Sequence, residues 1–114
     1  MANIYKNAKL DLTTNTVVTL YTVPSDSRAI IKSILVSDDT NNGSSITVDL
    51  FNGPPASASK FNLFKNKAIS GNQTVQLLEE PLIMMESEVI QVTATDANRL
   101  HVVASILEIN RNDQ

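Results

Sequence analysis

The sequence predicts an all-β protein, an antiparallel β-sandwich or jelly roll of about eight strands. Three observations carry this. Runs of β-branched and aromatic residues recur at short intervals along the whole chain. Clusters of Pro, Gly, Asn, Asp and Ser separate them at the spacing of a sandwich or barrel. The stretch richest in helix formers, "TVQLLEEPLIMMESEVIQV", carries Pro81 in its middle and β-branched residues after it, so helix is the weaker expectation there.

The first element is "IYKNAKLDL", in which Ile4, Tyr5, Ala8, Leu10 and Leu12 are interrupted by Lys6, Asn7, Lys9 and Asp11. A terminal segment with so mixed a pattern rarely orders by itself. In a free subunit residues 1–12 would lie along a sheet edge; they are expected to serve as an arm for assembly, adding a strand to a neighbour, with Tyr5 and Leu10 filling pockets and only a minor role in the chain's own core. Val17 to Val23 is the next strand, and Pro24 opens the turn "VPSDS". Ala29 to Val36 follows, then the polar turn "DDTNNGSS", where Asn and Gly can supply positive φ. From Ile46 to Phe51 the pattern alternates. Ile46, Val48 and Leu50 share one face and Thr47 and Asp49 the other, as in a sheet with one wet face.

"NGPPAS" cannot lie inside a central strand, because Pro54 and Pro55 donate no hydrogen bond. Further strands are expected at Lys60 to Phe64, Thr74 to Leu78, Leu82 to Met85, Val89 to Thr95 and Leu100 to Ile109, with "ISGNQ" and Pro81 as breaks. The expected core includes Val23, Ile34, Val36, Ile46, Val48, Leu50, Val92, Val102 and Ile106. Tyr21, Phe51, Phe61 and Phe64 read as core aromatics.

Two strands do not alternate. "AIIKSILV" is apolar at odd and even positions. In "RLHVVASILEI", Leu100, Val102, Ala104 and Ile106 point one way and Val103, Leu107 and Ile109 the other. The outer face of such strands in a monomer would be an exposed apolar patch, which monomers avoid. A subunit interface is the sharper explanation, and cover by loops or by the N-terminal segment the blander one. The interface candidates are Tyr5, Leu10, Ile31, Leu35, His101, Val103 and Leu107.

Composition excludes several functions. A chain of 114 residues is expected to form a single sandwich domain over 1–114. The net charge of −3 and the scattered Lys and Arg argue against a nucleic-acid partner. No segment approaches the length of an apolar membrane span. The first residues lack the apolar core of a Sec-type signal, so synthesis in the cytoplasm is expected. There is no Cys, which leaves the redox compartment open.

No enzyme is expected, and no cofactor or metal. His101 is the single histidine and lies inside an apolar strand, where packing or an interface is the commoner use. The three glycines, Gly43, Gly53 and Gly71, are isolated and form no phosphate loop. No serine sits in a nucleophile elbow. Asp38, Thr40, Asn42, Gly43 and Asp49 imitate the spacing of a calcium loop, but Thr stands third, Asp twelfth, and strands flank it. A solvated hairpin turn is the expectation. With five aromatics and no Trp, a sugar-stacking platform has little support.

One stretch, "TLYTVPSDSRAIIKSILVSDD", resembles a segment of small virion structural proteins of tailed bacteriophages. The resemblance rests on Tyr21, on Pro24 three residues later, on the polar turn, and on "AIIKSILVSD" leading through a polar loop into "ITV". The ending "ANRLHVVASILEI" is similar to their last strand. What the resemblance implies is a β-sandwich or jelly roll that works as a capsid cement (decoration) protein. Such a protein would be a homotrimer on the capsid surface, bound across junctions of the major capsid protein. A neck, tail or fibre component, with host-glycan recognition in the loops "DDTNNGSS" and "NGPPASAS", is the other role it implies.

Overall fold

The computed structural model describes residues 2–110. Within them the chain forms nine strands and no helix: β1 (Ala2–Leu12), β2 (Val18–Thr22), β3 (Ser27–Asp38), β4 (Ser44–Phe51), β5 (Lys60–Ile69), β6 (Thr74–Gln76), β7 (Leu82–Met84), β8 (Val89–Ala94) and β9 (Leu100–Asn110). They make two antiparallel sheets. The first has the order β1-β9-β3-β6, with β7 also on β3. The second has the order β2-β8-β4-β5.

The order can be read as one long antiparallel ribbon. β4 pairs with β5, β3 with β6 and β7, β2 with β8, and β1 with β9. Rolling that ribbon brings β9 against β3 and β8 against β4. This is a jelly roll in which β6 and β7 share one strand position. The best helix-forming stretch became β6, β7 and β8, because Pro81 removes a donor that a helix would need.

The two sheets close over one apolar cluster that includes Leu12, Leu20, Val23, Ile31, Ile34, Val36, Ile46, Val48, Ile90, Val92, Val102 and Ile106. The unusual strand is β3. Its pairing with β9 shifts between Ile31 and Ser33, so Lys32 is an extra residue. Before the bulge the odd positions Ala29 and Ile31 point inward. After it the even positions Ile34, Val36 and Asp38 do. The two-sided apolar pattern of "AIIKSILV" is thus largely one inward face read across a bulge.

Four expectations need correction. Residues 2–12 lie along a sheet edge, as expected of a free subunit, but their part in the core is not minor: β1 pairs with β9 along its whole length, Leu12 is in the core, and Ala8 and Leu10 pack against it. Its inward positions match the alternation of β9, which a mixed composition hides. Leu50 is only partly buried, whereas Asp49 beside it is buried, because Asp49 sits between Gln91 of β8 and Asn62 of β5 on a central strand. Asn62 Nδ2 donates to Asp49 Oδ1 at 2.7 Å, which lets the carboxylate stay there. Phe61 is 53% exposed, since it lies on the edge strand. β5 also continues to Ile69, because two bulges, one with Asn66 at φ 50°, carry the strand past "KNK".

Candidate assembly interface

The outer face of the first sheet gathers apolar side chains in rows that cross the strands. Tyr5 of β1 stands opposite Leu107 of β9, Leu107 opposite Ile30 of β3, and Ile30 opposite Ile83 of β7. Tyr5 is 75% and Ile83 64% exposed. A second row runs Lys9, Val103, Leu35 and Gln76. Asn7, Ser105 and Ser33 lie between the two. Polar side-chain pairs border the rows. His101 Nε2 lies 3.3 Å from Asp11 Oδ1, and Arg28 Nε 3.3 Å from Glu86 Oε1. Apolar rows mixed with polar positions and bordered by polar pairs are compatible with a protein interface, whose overall composition is mixed.

The outer face of the second sheet is different. Thr19, Gln91, Asp49 and Asn62 follow one another across it, with Thr93 and Thr47 in the neighbouring row. The bulges of β5 form a shallow polar hollow lined by Thr47, Asp49, Lys60, Asn62, Lys65 and Asn66. Asn66 is held there by its backbone N–H, which donates to Thr47 Oγ1 at 3.1 Å.

Of the residues nominated from sequence, Tyr5, Leu35, His101, Val103 and Leu107 share the outer face of the first sheet. Leu10 lies on the inner side of β1 against the core. Ile31 is completely buried in the core and is corrected as an interface residue: the bulge at Lys32 places it on the inward face with Ile34. Ile30 and Ile83 were missed. Ile30 could not be told from Ile31 in a run of apolar residues, and Ile83 sits in a three-residue strand too short to show alternation.

One end of the sandwich holds a buried charge. Glu108 points inward on β9, accepts a hydrogen bond from the Tyr21 hydroxyl, and lies 3.1 Å from Lys6 Nζ. Lys6 also stands 5.9 Å from the centre of the Tyr21 ring. Burial, then the bond to Glu108 and its charge, hold the Tyr21 phenol well above the usual range, so it stays a donor. The cluster ties β1, β2 and β9 together where β1 extends past the core.

The Asp38 turn is satisfied internally. Thr40 N and Thr40 Oγ1 each donate to Asp38 Oδ1 at 2.6 Å, and Gly43 N donates to Oδ2. Those bonds hold the Asp38 carboxyl below its ordinary range, the Thr40 hydroxyl contributing most. Among the described residues, no group of three or more His, Asp or Glu is placed to hold a metal ion.

No protein-family model matches the chain. No curated protein matches its sequence. Solved structures do share its fold. A chain of an infectious bursal disease virus particle is similar at TM-score 0.60 and 9% identity, over 95% of this chain and 31% of that one. A chain of the acid-stable capsid of a Helicobacter pylori bacteriophage is similar at TM-score 0.57 and 15% identity, over 96% of this chain and 89% of that one. A Bacillus endospore appendage protein, from disulfide-linked pili, is similar at TM-score 0.54 and 11% identity, over 95% of this chain and 88% of that one. This chain has no cysteine for such a linkage. It spans less than a third of the infectious bursal disease virus chain. At these identities the likeness is one of fold.

Proposed function

We propose that this chain is a structural protein of a virion, a capsid cement protein that binds across junctions of the major capsid protein and stabilises the head. The observation that carries the reading is the apolar row Tyr5, Leu107, Ile30 and Ile83 on one outer face, set against a wet and polar opposite face. An isolated sandwich has no use for such a row on its surface. The fold, which recurs in two viral particles, and the resemblance of "TLYTVPSDSRAIIKSILVSDD" to phage virion proteins support the same role. Neither needs catalysis. The protein would be made in the host cytoplasm and come to rest on the capsid surface. Burial at each site repeats over the shell, so modest affinity per contact still adds up to resistance against internal pressure.

The homotrimer that the resemblance implies is a separate matter. No feature of the described residues selects a threefold axis. The test of the shell contact is rebinding to capsids stripped of this protein. Wild type should rebind and Ile83→Lys, which changes an exposed side chain, should not. An Ile83→Lys variant that rebinds equally well overturns the reading.

The polar hollow on the second sheet favours a second reading, a neck, tail or fibre component that contacts a host glycan. Asp49, Asn62 and Asn66 could accept or donate to hydroxyl groups, with Lys60 and Lys65 beside them. Glycan binding lost in Asn62→Ala, with Ile83→Lys still assembling normally, would favour this reading over cement.

A further inference from the structure

A jelly roll of two open sheets has four edges, and three of them are blunted. β6 and β7 are three residues each. β2 has five residues and a register shift. β5 has two register shifts and carries Lys60, Lys65 and Lys67. Short strands, bulges and lysines are the devices by which proteins prevent edges from pairing. β1 also carries two lysines, Lys6 and Lys9, but it alone is long and regular, with an unbroken register with β9 over 11 residues and no bulge. Asn3 to Asn7 are exposed in succession, so both faces of the strand are open there. Ile4 is 44% exposed beside Tyr5.

We infer that β1 pairs with β1 of a second copy of this chain, antiparallel, about a two-fold axis at Asn7. The occupant follows from the sequence of the strand. A two-fold axis normal to the sheet keeps each face continuous, so a residue can oppose only residues of its own parity. With the axis at Asn7, all eleven residues of β1 pair, from Ala2 with Leu12 inward. Ile4 then meets Leu10, Lys6 meets Ala8, and Asn3 meets Asp11. Tyr5 lies against Lys9, an aromatic ring beside a cation. No like charges face each other. An axis at Lys6 or Lys9 would set a lysine against its own copy, a destabilising arrangement. An axis at Ala8 would leave Asn3, at the most exposed end of the strand, without a partner.

The pair would join the first sheets of two subunits into one. Its outer faces would merge, so that the row Ile83, Ile30, Leu107, Tyr5 continues into Lys9, Val103 and Leu35 of the second copy. This surface differs from the shell contact proposed above, and the pairing holds whether or not that contact does. It makes the segment 2–12 an edge strand of its own sheet that also recruits a neighbour.

The absence of cysteine from the sequence gives a clean test. In Asn7→Cys the two thiols face each other across the axis, within reach of a disulfide or a short bismaleimide. Mild oxidation of Asn7→Cys at micromolar concentration should give a covalent dimer, while Asn3→Cys, which faces Asp11, should stay uncrosslinked. Circular dichroism checks that both fold. Sedimentation of the unaltered chain should show a two-fold dimer. A monomer, a trimer, or equal crosslinking of Asn3→Cys overturns the pairing. Ile83→Lys should still crosslink through Asn7→Cys, which separates failure of this edge from failure of the shell contact.

Discussion

Deleting Lys32 should leave the fold almost unharmed, while deleting Leu35, three positions away, should be severe. Lys32 is exposed and is the extra residue of the β3 bulge. Without it, Ser33 can still oppose Ser105 and Ile34 still oppose Ala104, and the inward set of Ala29, Ile31, Ile34 and Val36 is unchanged. Loss of Leu35 also shortens the strand by one, but straightening β3 then turns Ile34 outward and Ser33 inward. Exposing an Ile that is now completely buried costs about 1.5–3 kcal/mol. Burying an unpaired hydroxyl costs about another 1–3 kcal/mol. Keeping the bulge instead would turn Val36 outward, with a similar loss. The sum is a large part of a domain's total stability of about 5–15 kcal/mol. At roughly 4 °C per kcal/mol or more, the Leu35 deletion should lower Tm by about 10 °C or prevent folding. The Lys32 deletion should cost about 1 kcal/mol or less, a shift below about 8 °C. Thermal unfolding followed by circular dichroism decides it. Equal damage from both deletions would refute the claim that the bulge explains the two-sided pattern.

Other outcomes follow from the same geometry. Val48→Asp should unfold the subunit, because an unpaired carboxylate at a fully buried position costs several kcal/mol by order of magnitude; an unchanged unfolding curve would contradict this. Asp38 has a lowered folded pKa, so its contribution is present above the unfolded value of about 3.9 and is lost as pH falls through the folded value. Asp38→Asn should therefore be less stable at neutral pH and show a flatter acid limb in a plot of Tm against pH. Calcium or EDTA should not move Tm, since a ligand that binds only the folded state must raise it; a shift of several degrees abolished in Asp38→Ala would restore the calcium reading. Removal of residues 2–10 should give a chain that does not fold, because it strips β9 of one of its two partners along most of its length and removes Ala8 and Leu10 from the core margin. A folded truncated domain would return the segment to the role of an arm.

The strands were legible because turn chemistry punctuates this chain so regularly. Pro24, Asn41 to Gly43, Pro54, Pro55 and Pro81 all fall between strands. The inward face of β9 was legible too, since Leu100, Val102, Ala104 and Ile106 alternate without interruption and are buried as expected. What the sequence hid was register. A bulge leaves no mark when residues on both sides of it are apolar, so Ile31 and Leu35 looked equivalent although one is core and the other surface. Asp49 and Glu108 were hidden for another reason. Their burial depends on Asn62, Tyr21 and Lys6, which lie far away in sequence. The outer row was partly visible in Tyr5, Leu35, Val103 and Leu107. Ile30 and Ile83 entered it only once the pairing of β3 with β7 was known.

The central claim is that the chain is a building block of a virus shell, and the copy number in the purified particle tests it most directly. Quantitative mass spectrometry would compare this protein with the major capsid protein in the same sample. The cement reading predicts a copy number of the same order as the major capsid protein. A handful of copies per particle would contradict it in favour of a neck or fibre, and absence from the particle would contradict a virion role altogether.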